Sequence, residues 1–153
     1  MSTNEPADRY LAPGPKANSI HSFAKWLTEH GISVMGTRML HVKGRKSGQV
    51  RTTLVNLLVL DGVEYLVAPR GHTQWVRNLR ANGAAELTLG SRRSWEIVAE
   101  ELPDSEKLPI LRAYLKRFGW EVGMFFENLD KNSPDDDLRA AAPGFPAFRL
   151  HRP

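Results

Sequence analysis

The stretch HVKGRKSGQVRTTLV, His41 to Val55, sets Lys43, Arg45, Lys46 and Arg51 around two glycines, Gly44 and Gly48, and then runs straight into a β-branched segment. Met39 to Val42 before it and Val50 to Leu60 after it carry the short apolar pattern of strands, so the basic residues fall on a tight turn between them. Glycines at such a turn allow backbone N–H groups to converge on one point. Arg45, Lys46 and Arg51 add charge there, and Ser47 adds a hydroxyl donor. Two readings fit these residues: a charged hairpin tip held in water, and a seat for an anion. The glycines are not placed as a Walker A loop requires, and no strand–G-x-G-x-x-G–helix order is present.

Outward from this turn the chain reads as alternating short elements. Upstream, Ile20, Phe23, Ala24 and Leu27 are spaced for one face of a helix over Ile20 to His30, with Ser19 as its cap. Downstream, Asp61-Gly62 signals a hairpin, and Val63 to Ala68 returns as a strand. Trp75, Val76 and Leu79 then fall at helical spacing, with Thr73 at the start and Asn82-Gly83 at the end. Ala85 to Leu89 and Ser94 to Glu101 follow as strands. A helix over about Asp104 to Phe118 comes next, with Pro109 interrupting its first turn. Glu121 to Asp130 has a weak helical pattern, Asp135 to Ala141 reads as a short helix, and Pro146 to Arg152 as a last strand. About six strands connected by hairpins must hide their edges, and closure into a barrel does so. The expected fold is α+β, a mainly antiparallel six-stranded β-barrel with accessory helices; an open antiparallel sheet with helices on one face is the second reading.

With 153 residues, 41% hydrophobic and 25% charged, the chain fits one domain, over residues 20–153, behind a loose polar tail over residues 1–19. It has no cysteine, which excludes disulfides, thiolate catalysis and cysteine-ligated metals. No apolar run approaches the roughly 20 residues of a membrane span, and the first residues lack a secretory pattern, so a cytoplasmic protein is expected. The net charge of +4 suits nucleic acid, an anionic membrane or a phosphorylated small molecule. The basic turn lacks the interleaved aromatics of a nucleic-acid surface.

A second segment, APRGHTQWVRNLRANG, Ala68 to Gly83, places Pro69 and Gly71 in a turn that leads into a helix start, where free N–H groups favour an anion. Arg70 and Arg77 add charge there, and Asn78 can hydrogen-bond from the helix. Trp75 and Leu79 read as core. His72 stands beside this seat as a candidate proton donor. The five histidines show no metal-ligand spacing. Trp120, Phe125 and Phe126 line an apolar pocket, fill the core or form a dimer interface. No nucleophile or base stands out, and in such a chain a cofactor performs the chemistry while the protein binds and orients it.

The pair G-R-K-S-G-x-x-R and W-x-x-N-L-x-A-N, in this order with the Asp61-Gly62 hairpin between them, resembles the deazaflavin-dependent nitroreductase family of actinobacteria. That resemblance is good from about Leu40 to Leu89. It implies a split β-barrel, commonly a homodimer, using the 8-hydroxy-5-deazaflavin coenzyme F-420. It also implies roles. Arg45, Lys46, Ser47 and Gly48 would take the coenzyme's phosphate and acidic tail, with Arg51 and Thr53 on the following strand. Ala68, Pro69, Arg70 and Gly71 would meet the ring and ribityl chain, and Trp75, Arg77, Asn78 and Leu79 would close the site. Hydride would pass from the reduced coenzyme to a quinone, an activated alkene or a nitro compound. FMN, whose phosphate suits the same turn, is the alternative cofactor, and a non-catalytic carrier of a hydrophobic ligand is the alternative function. Family members often have proline near Thr53, an A-S-x-G-G-like run at Ala68 to Gly71 and tyrosine at Val76; these departures bear on the acceptor.

Overall fold

In the computed structural model, residues 6–11, 37–89, 93–122, 125–126 and 128–153 are described; the helix expected over Ile20 to His30 lies outside them. Six strands and three α-helices are present among the described residues. The strands are β1 (Thr37–Lys43), β2 (Val50–Leu60), β3 (Val63–Val67), β4 (Ala84–Leu89), β5 (Arg93–Glu101) and β6 (Ala147–His151). The helices are α1 (Gln74–Asn82), α2 (Leu108–Val122) and α3 (Asp135–Ala141). All strand pairs are antiparallel, and the order β1-β2-β3-β6-β5-β4 closes because β4 returns to β1, with Leu40 opposite Leu87. Closure leaves no unpaired sheet edge among the described strands.

The side-chain alternation of β2 explains why its sequence is apolar on both faces. Val55 and Leu57 point into the barrel with Leu40, Val42, Leu66, Leu87, Ile97 and Phe148, and α1 contributes Val76 and Leu79 to the same core. Leu58 points the other way and joins Tyr65, Val67 and the outer helices in a second core. Helix α2 offers Ile110, Leu111, Tyr114, Leu115 and Phe118 on one face to that outer core. Asp61 and Gly62 turn the β2–β3 hairpin with φ of 52° and 78°, the conformation that selects Asp-Gly there.

Two expectations are corrected. The segment from Asp104 is not one helix: Asp104–Glu106 is a 3-10 turn and α2 starts at Leu108, so Pro109 sits in its first turn, where its missing N–H costs nothing. Nor does a loose tail describe the N-terminal residues from Arg9 to Leu11. Arg9 is buried, and its guanidinium donates to the carbonyls of Pro69, Gly144 and Phe125 while lying 4.2 Å from the Phe145 ring centre. Tyr10 bridges to Gly71 in antiparallel fashion, with Leu11 N–H donating to Arg70 O at 2.8 Å and His72 N–H to Arg9 O at 2.8 Å. The sequence signal was missed because a five-donor arginine, read alone, looks like a solvated charge.

Gly71 is what lets this strap approach. Its φ is +86°, and an added Cβ would run into the Arg9 carbonyl. Gly48 also has a left-handed φ, +72°, but nothing lies within 4 Å of a Cβ there. Gly48→Ala should therefore lose about 1 kcal/mol of stability. Gly71→Ala should lose more and release the Leu11 and His72 amides to exchange, as read by thermal unfolding and hydrogen exchange. Retained protection of both amides in that variant would contradict the strap.

Candidate functional site

The basic turn is built by its own backbone. Gly44 N–H donates to Gln49 O at 2.8 Å, Gly48 N–H to Gly44 O at 2.9 Å, and Gln49 N–H to Ser47 Oγ at 3.2 Å. This closure leaves Arg45, Lys46 and Ser47 exposed at the tip. What orients the tip is α1. Asn78 Oδ1 accepts from Arg45 N–H at 3.0 Å and from Arg45 Nη1 at 2.8 Å, and Gln74 Oε1 accepts from the same Nη1 at 3.0 Å. One turn further along α1, Asn82 Nδ2 donates to Lys43 O at 2.8 Å. Positions 74, 78 and 82 share one helix edge by their spacing of four, so that edge grips the turn.

Between the turn, α1 and the N-terminal strap lies a cleft of about 680 Å³, within the usual range for small-molecule sites. Among the described residues its wall carries five cationic side chains, Arg45, Lys46, Arg51, Arg70 and Arg77, and no carboxylate. None of the five takes part in the ion pairs seen among the described residues; those involve arginines elsewhere, such as Arg80 with Glu101 at 2.7 Å and Arg112 with Asp135 at 2.6 Å. Tyr10 and Trp75 are the aromatic members of the wall. Burial lowers the pKa of Arg70, with Tyr10 pulling the other way. Unpaired positive charge of this density in a partly desolvated wall attracts an anion strongly.

The family model for F420H(2)-dependent quinone reductases matches residues 20–118. The chain belongs to that family. The F420H(2)-dependent quinone reductases are, by that description, oxidoreductases. The fold agrees with an F420-H2 dependent reductase, FDR-A, at 18% identity and TM-score 0.50, covering 76% of this chain and 95% of that one. It is also similar to protein Atu2129, of unknown function, from Agrobacterium tumefaciens, at 17% identity and TM-score 0.54 over 93% of this chain. The chain spans 59% of the length of that protein. HutZ, the heme storage protein of Vibrio cholerae, matches at 14% identity and TM-score 0.52, covering 88% of this chain and 90% of that one. At these identities the likenesses speak for the split-barrel fold. No curated protein matches the chain. Among the described residues no helix is long and apolar enough to cross a membrane.

For this quinone reductase family member the structure sorts the residues singled out by sequence. Arg45, Lys46, Ser47, Arg51, Thr53, Arg70, Trp75, Arg77 and Asn78 all line the cleft. Gly48, Ala68, Pro69, Gly71 and Leu79 do not: they shape it from behind. Leu79 and Ala68 are core residues of the barrel, Gly71 receives the strap, and Pro69 O accepts from Arg9. Trp75 is half-buried rather than core; one side packs on the barrel core, its ring centre 6.1 Å from that of Phe148, and the residue opens to the cleft. His72 lies outside the wall, its Nε2 donating to Pro143 O at 3.2 Å and its Nδ1 accepting from Arg80 at 3.3 Å, so neither ring nitrogen is left to serve the cleft. Phe126 belongs to the outer core, stacked 4.2 Å from Phe145, and Phe125 packs against the same cluster; neither faces the cleft. Trp120 falls in the last turns of α2. Sequence reading missed Tyr10, Val42, Gly44, Thr52, Thr73 and Gln74 as wall residues. Gln74 was findable, because it precedes Asn78 by four positions on the helix.

Asn78 is 5% exposed, and its oxygen is shared by two donors of Arg45. Asn78→Ala should cost about 1–3 kcal/mol in urea unfolding, because it leaves the Arg45 amide unsatisfied. The same variant should speed exchange of that amide. Asn78→Asp keeps an acceptor and should recover most of the loss. An alanine variant as stable as the parent would mean that the turn holds itself.

Proposed function

We propose that this chain binds a reduced deazaflavin coenzyme in the cleft and uses it to reduce an electron-poor acceptor, a quinone first, with activated alkenes and nitro compounds as further members of the class. The observation that carries the reading is the wall itself: among the described residues, five cations without a carboxylate, together with two aromatic rings, in about 680 Å³. A flat, largely apolar ring joined to a phosphodiester and an acidic tail has the complementary chemistry. When bound, the reduced deazaflavin supplies a hydride, and a quinone takes it with one proton to become the hydroquinone.

The chain's own part is to bind and orient. Arg45, fixed through Nη1 by Asn78 and Gln74, keeps its remaining N–H donors for an oxyanion, and Lys46, Ser47 and Arg51 stand around it. Arginine's planar fork and lysine's point charge are the usual partners of phosphate. Trp75 and Tyr10 give the ring apolar faces, and Val42, a buried core residue, adds an apolar patch to the wall. Holding donor and acceptor roughly 3–3.5 Å apart supplies much of the rate without an acid–base residue. Among the described residues no histidine or carboxylate lines the wall, and we read the proton as coming from water or from the hydroxyls of Thr52 and Thr53.

Titration with the oxidised deazaflavin and with FMN, side by side, followed by tryptophan fluorescence, tests the reading. The deazaflavin should bind more tightly, and rising salt should weaken it. Lys46→Ala should weaken it by about 1–3 kcal/mol, the scale of one charge-assisted hydrogen bond. Equal affinity in parent and variant would remove the turn from the site, and tighter FMN binding would replace the coenzyme.

A further inference from the structure

His72 has a partner for each of its polar groups. Its N–H donates to Arg9 O at 2.8 Å, and its carbonyl accepts from Arg77 Nε at 3.1 Å. In the ring, Nε2 meets Pro143 O at 3.2 Å and Nδ1 meets Arg80 Nη2 at 3.3 Å. A carbonyl only accepts and a guanidinium only donates, so these partners fix the tautomer, with the proton on Nε2 and the lone pair on Nδ1. The residue thus ties together the N-terminal strap, α1 and the 3-10 turn Ala142–Gly144, whose Gly144 O also accepts from Arg9.

This junction has no place for a second proton on the ring. On Nδ1 it would replace the lone pair that serves Arg80 with an N–H that opposes it, and would set an imidazolium against a guanidinium. Arg80 is not free to step aside, because Glu101 holds it by two bonds of 2.7 Å. Hydrogen bonding to Glu101 also raises the Arg80 pKa, so the guanidinium stays charged. The other charged or titratable groups around the junction are Arg77 on the same helix, Arg70 in the loop of His72, and Asp8, Arg9 and Tyr10 on the strap, where Asp8 is exposed. The turn Ala142–Gly144 brings no charge. Protonation therefore parts the ring from Arg80. The loop that carries the ring also holds the strap, through Leu11 N–H to Arg70 O and His72 N–H to Arg9 O. The Arg9 guanidinium keeps the carbonyls of Pro69 and Gly144, so the strap swings about that anchor.

We propose that His72 is a proton-operated latch on the N-terminal strap: neutral, it holds Tyr10 and Leu11 beside the cleft, and protonated, it lets them go. Tyr10 is a wall residue, so opening removes one of the two aromatic faces. The effect on the coenzyme rests on the reading of the cleft as its seat; the release of the strap does not.

Hydrogen exchange on the whole chain at about pH 8 and about pH 5, the span in which histidines change charge, tests the latch. Protection factors, which divide out the intrinsic pH dependence of exchange, should fall about tenfold in acid at the Leu11 and His72 amides, the scale of one lost hydrogen bond. The Ala68 amide, bonded to Pro146 O at 2.8 Å, should hold. His72→Gln, which offers a donor and an acceptor but takes up no proton, should give equal protection at both pH values. Arg80→Gln, whose side-chain oxygen can accept from a protonated ring, should keep the strap closed in acid. Nitrogen NMR of the parent at the higher pH should show the Nε2–H tautomer of His72. In fluorescence titrations with the oxidised deazaflavin, acid should weaken binding several-fold more in the parent than in His72→Gln; the ligand's own ionisation is common to both and cancels in that comparison. An Nδ1–H tautomer, or parent protection that ignores pH, would overturn the latch. So would an acid loss of protection as large in His72→Gln as in the parent. Should His72→Gln hold the strap at neither pH, Arg80→Gln decides, and an undiminished acid loss there overturns the proposal. Strap release with equal acid losses of deazaflavin affinity in parent and His72→Gln would overturn the link from latch to cleft. A parent that opens in acid yet binds no deazaflavin at either pH would sink the coenzyme reading and leave the latch standing.

Discussion

Asn78 Oδ1 holds two donors of Arg45 at once, one from the backbone and one from the guanidinium. Through that oxygen the helix after β3 and the turn after β1 become one rigid edge. Asn82 reinforces it by donating to Lys43 O, and the helix is anchored in turn by Val76 and Leu79, both fully buried in the barrel. The position of two cations, Arg45 and Lys46, on an exposed tip thus traces back to two aliphatic side chains in a closed sheet. A site carried on a turn needs such support, because a tip stabilised only by its own short-range bonds has little to fix its direction.

The cleft departs from the rest of the surface in its electrostatics. Elsewhere several arginines meet carboxylates: Arg149 and His151 share Glu100, and Arg152 reaches Glu64. Along the cleft five like charges face one opening. Repulsion among them works against folding, and partial burial of Arg70 adds desolvation. Sequences hold such arrangements where a ligand, rather than the protein itself, supplies the counter-charge, and the same groups then attract that ligand from a distance.

Much of this was legible in the sequence, for reasons that differ by residue. β2 was readable because its apolar and β-branched run is long, and the Asp61-Gly62 turn because two adjacent positive φ values suit few other pairs. Arg45, Lys46 and Arg51 were readable as charge gathered on one turn between apolar strands, but those residues alone fitted a solvated hairpin tip and an anion seat equally. Leu79 and Trp75 were harder: both are apolar on one helix, and only packing decides that one is sealed in the barrel and the other opens to the cleft. Phe125 and Phe126 were ambiguous for the same reason, since a pocket and a core demand the same residue type. Tyr10 was out of reach, because its neighbours Gly71 and Arg77 are remote in sequence and nothing local distinguishes it from a polar tail.

The Arg9 anchor has a kinetic consequence. Its guanidinium is held by carbonyls 60, 116 and 135 residues downstream, among the most distant contacts in the chain. Loops of that size close late, after local hairpins have formed. During synthesis the barrel strands through β5 emerge before Phe125 and Gly144 exist to receive the anchor. The last side of the cleft is therefore made by some of the earliest residues, waiting for some of the latest, and ligand-binding competence should mark the end of folding rather than its middle.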